Sequence, residues 1–292
     1  MKISEILAKD TVTVSCELFP PKQGSQLPQV EQVVADMAEY HPSFMSVTYG
    51  AGGTTVGQTI SIAETIQQQH GIPALAHLTC LTATRQQIDE TLNELEGRGI
   101  RNLLALRGDI PAGSDFPNPE QFHHASDLIS YIRSGPWDFC IGAACNPEGH
   151  PESPNRETDI RYLKEKVDCG CSFITTQMFF DNNILYRFLY QVREAGITIP
   201  VIAGIMPVTN ARQVDRMIEM NRIEFPPRFR AIVDHFGTDS RAMRQAGIAY
   251  ATEQIIDLIA NGVKHIHIYT MNQPRTAGMI MKNLSHIFKV TE

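Results

Sequence analysis

Eight short β-rich runs alternate with amphipathic segments along this chain, and the alternation constrains the fold more than any other feature. The runs are Val12–Phe19, Phe44–Tyr49, Ala74–Thr79, Asn102–Arg107, Phe139–Ala144, Phe173–Phe179, Pro200–Ile205 and Lys264–Tyr269. Between them, segments such as Gln26–Tyr40, Val56–His70, Arg85–Gly97 and Arg156–Cys169 carry apolar residues at helical spacing. "TDSRAMRQAGIAYATEQIIDLIANG" is the clearest helix, ended by Asn261-Gly262. Strands separated by helices pair in parallel, which makes the chain α/β. Eight such units in 292 residues predict a single (β/α)8 TIM barrel, a fold of about 250 residues. The rival is a doubly wound open sheet. It wants a G-x-G-x-x-G turn after the first strand, and the sequence has none there. No boundary linker interrupts the pattern, so residues 1–292 read as one catalytic domain without a regulatory domain. "DIPAGSDFPNPEQF" reads as a long βα loop, and "NRIEFPPRFRAIVDHFG" as an extra helical insertion near the C-terminal end.

Composition narrows the partners. A net charge of -7, with Lys and Arg scattered rather than clustered in the sequence, argues against nucleic acid. The longest apolar runs, such as "VIAGIMPV", are too short to cross a bilayer. The mixed, charged start "MKISEILAKD" resembles no targeting segment, so a cytoplasmic location is expected. The six cysteines include no C-x-x-C pair and read as buried, reduced thiols; no metal site is expected.

In a barrel the apolar face of each strand packs on helices, so the polar face points inward. In the first strand Val12, Val14, Cys16 and Leu18 form the apolar set, leaving Glu17 inside near the C-terminal end. The same test turns His77, His265, His267 and Tyr269 inward, places Thr48 on the face of Ser46, and groups Gln177 with Phe173, Thr175 and Phe179. A lone inward histidine is more often a hydrogen-bonded core residue than a catalyst. Glu17 is different, because an isolated buried carboxylate is costly to keep charged. Several such residues at the C-terminal mouth of one barrel mark a site.

The stretches "CELFPPK", "FMSVTYGAGG", "AHLTC", "LALRGD" followed by "PAG", "PEGHPE", "KEKVDCG", "TTQMFFD", "GIMPV" and "HIYTMN" occur in order between residues 16 and 272. Taken together they make the chain resemble the methylenetetrahydrofolate reductase family, in the form of a bacterial-type catalytic barrel. The resemblance implies FAD at the C-terminal ends of the strands. It implies reduction of 5,10-methylenetetrahydrofolate to 5-methyltetrahydrofolate by ping-pong hydride transfer from NAD(P)H through the flavin. Methionine biosynthesis and a homo-oligomer belong to the same expectation. Glu17 is matched to the general acid that protonates folate N10, and Asp109 to a catalytic aspartate near the flavin and pterin. The cofactor set implied is Thr48, Tyr49, Ala51, His77, Arg107, Gly108, Asp109, Ala125, Asn146, His150, Asp159 and Lys166. The substrate set is Gln177, Gln213, Tyr269 and Gln273.

Three positions depart from the family pattern. Asn146 stands where many members have tyrosine, Glu165 where some have a basic residue, and Gln273 where arginine is common, with Arg275 two residues on. Alternative readings stay open: a flavin subunit fed by an electron-transfer protein partner, a non-flavin barrel lyase with Glu17 as base, and a scaffold with a vestigial site.

Overall fold

The structure, a computed structural model, describes residues 1–21, 27–49, 56–81, 83–110, 120–214, 217 and 223–288. Eight parallel strands close on themselves in chain order, β1-β2-β3-β4-β5-β6-β7-β8. They are β1 (Thr13–Leu18), β2 (Met45–Val47), β3 (Ala74–Thr79), β4 (Asn102–Leu106), β5 (Cys140–Cys145), β6 (Phe173–Thr176), β7 (Val201–Ile205) and β8 (His265–Tyr269). Pairing of β1 with β8, from Thr13 opposite His265 to Glu17 opposite Tyr269, completes the barrel. The (β/α)8 expectation holds, strand for strand.

Helices cover the outer face. Val56–His70 and Arg85–Gly97 have the expected bounds, Arg156–Asp168 is one residue shorter, and the inserted segment forms Pro227–Phe236 ahead of the long helix Ser240–Ala260. Side-chain caps fix several starts: Thr84 with Gln87, Asn155 with the Thr158 amide, Asp239 with the Arg241 and Ala242 amides. The barrel–helix layer is one large apolar cluster that includes Val14, Cys16, Leu18, Val47, Ala76 and Leu78, the set that alternation assigned outward.

Inside, polarity changes along the axis. At the N-terminal end the short helix Ile3–Leu7 packs on Phe44, Leu75, Leu104, Cys140, Phe173 and Ile202, and Asn102 accepts the Ile3 amide at 2.8 Å. Toward the C-terminal end the inward residues become Ser15, Ser46, His77, Thr175, His267 and then Glu17. The dry plug at one end leaves the other as the only described mouth where polar side chains gather.

One expectation needs correction. The run Phe173–Phe179 was expected to be a strand throughout, with Phe179 inward. β6 ends at Thr176, because β7 offers partners only to Ile174 and Thr175. Gln177 still donates its amide to Cys145 O at 2.7 Å, but Phe179 turns out into the helix layer. Phe180 stacks on Phe225 and Phe229, with centroids 4.6 and 4.9 Å away, and so anchors the inserted helix.

Gly204 on β7 meets this corner closely. Its amide donates to Thr176 Oγ1 at 2.9 Å, and a Cβ there would stand 2.4 Å from Thr176 O and 2.6 Å from the Tyr269 ring. Gly204→Ala is expected to destabilise the fold by about 1–3 kcal/mol through overpacking, read as a lower urea midpoint with an unchanged m-value.

Candidate functional site

Glu17 sits 6% exposed at the end of β1. Its Oε2 lies 3.6 Å from His77 Nε2 and 3.9 Å from His267 Nε2, close enough for charge coupling and too long for hydrogen bonds. His267 is held from β1 and β2: Ser15 Oγ is 2.7 Å from Nδ1 and Ser46 Oγ 3.3 Å from Nε2. Ser15 also reaches Ile266 O at 3.2 Å. This network is satisfied when Ser15 donates to Ile266, His267 Nδ1–H donates to Ser15, and Ser46 donates to Nε2. Tyr269 donates to Thr176 O at 2.6 Å and stands edge-on to His267. Thr270 Oγ1 donates to Glu17 O at 2.6 Å, and Asn272, at φ 53°, clamps both backbone groups of Phe19 at 2.8 and 2.9 Å. The "YTMN" turn thus ties the end of β8 to the point where Pro20 and Pro21 end β1.

Desolvation governs the titration of His77 and Tyr269. It lowers His77 to about 4, outweighing the opposing pull of Glu17, so the ring is neutral at pH 7. It raises the Tyr269 phenol well above its ordinary value.

A cleft of about 580 Å³ opens beside this cluster, at the mouth of β3 to β6. Its lining includes Tyr49, Arg107, Gly108, Asp109, Ala125, Asn146, His150, Asp159, Lys166 and Gln177. Ten of the expected cofactor and substrate residues therefore meet in one space. Ala51 lies outside the described residues. Thr48, His77, Glu17 and Tyr269 are not on the cleft lining; they belong to the ends and interior of β1–β3 and β8. Gln213 and Gln273 come together elsewhere, in a second pocket at the β7 and β8 mouth. Glu165 points away, exposed and 4.0 Å from Arg161.

The cleft wall is braced by charge. Arg107 grips Glu152 through two bonds of 2.6 Å, which holds the Glu152 carboxyl below its ordinary value. Lys166 donates to Ala144 O at 2.5 Å, and burial lowers its ammonium. Ser153 donates to Asp159 at 2.9 Å. Gly108, at φ 87°, adopts a left-handed conformation against Thr79, so the "RGD" turn needs glycine there. Burial pushes Tyr49 up to about 12.

Sequence reasoning gave no role to Glu148, Glu152, Arg156 or the serines around His267. Glu148 Oε2 accepts the Glu224 amide at 2.8 Å, while its Oε1 is buried with no partner among the described residues, as is His77 Nε2. Burial raises Glu148 to about 7. Arg156 reaches Asn146 O at 3.2 Å. The available signal was local: both glutamates lie in "PEGHPE", next to prolines that fix a turn.

A closed parallel barrel whose C-terminal mouth holds a buried carboxyl, neutral histidine and polar cleft has the layout of a barrel enzyme. The family model for methylenetetrahydrofolate reductase matches residues 2–285, and the chain belongs to that family. It is 36% identical over 298 residues to methylenetetrahydrofolate reductase (NADH) 1 of Zea mays, covering 98% of this chain and 50% of that protein. It is 34% identical over 273 residues to 5,10-methylenetetrahydrofolate reductase of Escherichia coli, covering 94% and 90%. The chain thus spans about half the length of the plant relative and nearly all of the bacterial one. Among solved structures, a Clostridium thermocellum protein that binds two copies of 5-methyl-5,6,7,8-tetrahydrofolic acid shares the fold, with a TM-score of 0.69 at 12% identity, covering 98% of this chain and 100% of that one.

A histidine kept neutral by burial makes folding pH-dependent with a defined sign. The unfolded ring takes a proton near its ordinary 6.5 and the folded one near 4. His77 therefore costs nothing above pH 6.5, and stability falls as pH drops toward 4. At pH 5 the loss from this group is about 2 kcal/mol. Urea titrations of wild type and His77→Gln from pH 7.5 to 4.5 are expected to diverge only below about pH 6.5, with the wild type falling more steeply.

Proposed function

We propose that this barrel reduces 5,10-methylenetetrahydrofolate to 5-methyltetrahydrofolate with FAD, and that Glu17 is its general acid. The observation that carries the proposal is the Glu17 carboxyl, buried at the mouth between two histidines and beside the large cleft. The family membership and the folate-named relatives support it. The donor set fits a flavin dinucleotide: a roomy cleft lined by Arg107 and Lys166, the start of the helix at Ala125, and the buried Glu148 Oε1, which has no partner among the described residues. Tyr49, Gly108, Asn146, His150 and Asp159 would share in holding it, with Thr48 and His77 at its inner edge. When bound, FAD would supply the redox chemistry, hydride transfer between NAD(P)H and the folate methylene carbon.

The residues of this chain do the rest. In methylenetetrahydrofolate the one-carbon unit is bonded to both N5 and N10. Glu17 delivers a proton to N10, the C–N10 bond breaks with its electron pair going to N10, and an N5 iminium is left as hydride acceptor. Neighbouring His77 is neutral and so supplies Glu17 with no counter-cation. Asp109, exposed at the cleft edge, accepts from the amino edge of the pterin. Gln177 has its carbonyl oxygen occupied by the Met178 amide at 3.0 Å, which leaves its NH2 to donate to substrate. The proton comes from the protein and the hydride from the cofactor, a division that one inward carboxyl can serve.

The nicotinamide donor has support in the "(NADH)" of the plant relative's name, and the unit proposed is a single catalytic domain, cytoplasmic and homo-oligomeric. No described helix is long and apolar enough to cross a membrane. Anaerobic half-reactions test the scheme. NADH or NADPH should bleach the bound flavin, and methylenetetrahydrofolate should reoxidise it. Glu17→Gln should keep the flavin and slow the folate half-reaction by about 10²–10⁴-fold. No bleaching by either nicotinamide, with reduction by a protein donor, would replace the electron source; unimpaired reoxidation in the variant would remove Glu17 from the mechanism.

A further inference from the structure

The large cleft holds little positive charge that is free to meet a ligand. Among the described residues its lining carries two strongly basic side chains, Arg107 and Lys166, against four carboxyl groups, Asp109, Glu148, Glu152 and Asp159. Both bases are engaged by the protein. The Lys166 ammonium donates to Ala144 O at 2.5 Å. Arg107 uses its whole fork: Nη1 and Nη2 each donate to one Glu152 oxygen at 2.6 Å, and Nε reaches Gly108 O at 3.4 Å. The two halves of this pair are not equally fixed. Arg107 directly follows β4 and its side chain is 23% exposed; Glu152 sits on a turn after β5 and its side chain is 58% exposed. The guanidinium is the anchored partner and the carboxylate the movable one.

A guanidinium fork presents the same two parallel N–H groups to a carboxylate and to a phosphate. Glu152 therefore stands where a pair of phosphate oxygens would bond. Two other carboxyls of the lining are committed elsewhere: Asp159 accepts from Ser153 at 2.9 Å, and Glu148 from the Glu224 amide at 2.8 Å. Arg107 holds the Glu152 carboxyl below its ordinary value, so it is charged at neutral pH. With the pair closed, the lining opposes the approach of a phosphate. An ion pair this exposed is worth only about 2–5-fold. A phosphate, which carries more charge than a carboxylate, can displace it.

We propose that Glu152 is a built-in stand-in for a ligand phosphate: it holds Arg107 until a phosphate group of the ligand takes its place, and the pair thereby selects for phosphate-bearing ligands. The identity of that ligand as FAD rests on the reading above; the exchange itself rests on the Arg107–Glu152 geometry. A flavin without phosphate leaves the pair closed. A nucleotide opens it, and the carboxylate moves out toward water on its exposed turn while the guanidinium stays at the end of β4.

FAD, ADP and riboflavin are titrated calorimetrically into the full chain freed of flavin, and into Glu152→Gln, Arg107→Ala and the double variant. Glu152→Gln removes the competing charge and keeps the shape, so FAD and ADP should bind about 2–5-fold tighter at low salt. That gain should shrink with added salt, and riboflavin should bind as it does to wild type. With Arg107 replaced by alanine there is no cation left to free, so the same change at Glu152 should alter FAD and ADP affinity by less than about twofold. Glu152→Ala and Arg107→Gln give an independent second cycle. Weaker binding of FAD and ADP by Glu152→Gln would make Glu152 a support for Arg107 and overturn the proposal. An equal gain with and without Arg107 would reduce Glu152 to a repelling charge, and an equal gain for riboflavin would remove the phosphate; either overturns it. So does a failure of every form to bind FAD or ADP. A chain that ignores FAD yet shows the expected pattern with ADP would sink the flavin reading and leave the exchange standing.

Discussion

The β1–β8 ladder closes the sheet, and by closing it decides which face of every strand turns to the axis. Thr13, Ser15 and Glu17 stand opposite His265, His267 and Tyr269 across that ladder. A one-residue slip would send Glu17 into the helix layer and bring Cys16 and Leu18 inside. Such a slip is resisted by the outer cluster, where Val14, Cys16 and Leu18 are buried against apolar neighbours. The position of the acid is thus enforced by the packing of residues that never touch it. The Asn272 clamp on Phe19 and the Thr270 bond to Glu17 O add a second, polar constraint at the same end.

Along the axis, the apolar plug under Ile3–Leu7 and the polar mouth are parts of one arrangement. Water is kept from below, and the residues above it are desolvated by protein on all sides but one. Desolvation consequently pushes three groups at or near the mouth toward their neutral forms: His77 as base, Tyr269 and Glu148 as acids. A mouth that disfavours fixed charge strengthens whatever charge arrives with a ligand, because little surrounds it to screen it.

Much of this was legible in the sequence because barrel strands obey a period of two. Glu17, His77, His267 and Tyr269 were all turned inward by alternation alone, and the structure agrees. Alternation failed at "FITTQMFF", where β-favouring residues continue past the point at which β7 stops offering partners; composition marks what can pair, and only the neighbouring strand decides what does. The approach of His77 to Glu17 was not legible, since β1 and β3 are not neighbours in the sheet and their side chains meet across the barrel. The family pattern named ten residues that the structure gathers in one cleft, but it could not tell that Gln213 and Gln273 would separate from Gln177 into another pocket. Nor does a motif show that Arg107, a natural partner for phosphate, is already engaged by Glu152.

That separation has a mechanical meaning. In the barrel order, β1 lies between β8 and β2, so Glu17 borders both halves of the mouth. One half, from β3 to β6, is a deep cleft with braced charges; the other, at β7 and β8, is a smaller pocket lined by Gln213 and Gln273 together with Arg212 and Arg244. A substrate read at both ends is positioned at its middle without any group gripping the reacting atoms. Binding interactions far from the reacting atoms can then set their position, where a misplacement of one ångström would cost about 10²-fold in rate. The rigid element that keeps the two halves in register is the closed sheet itself.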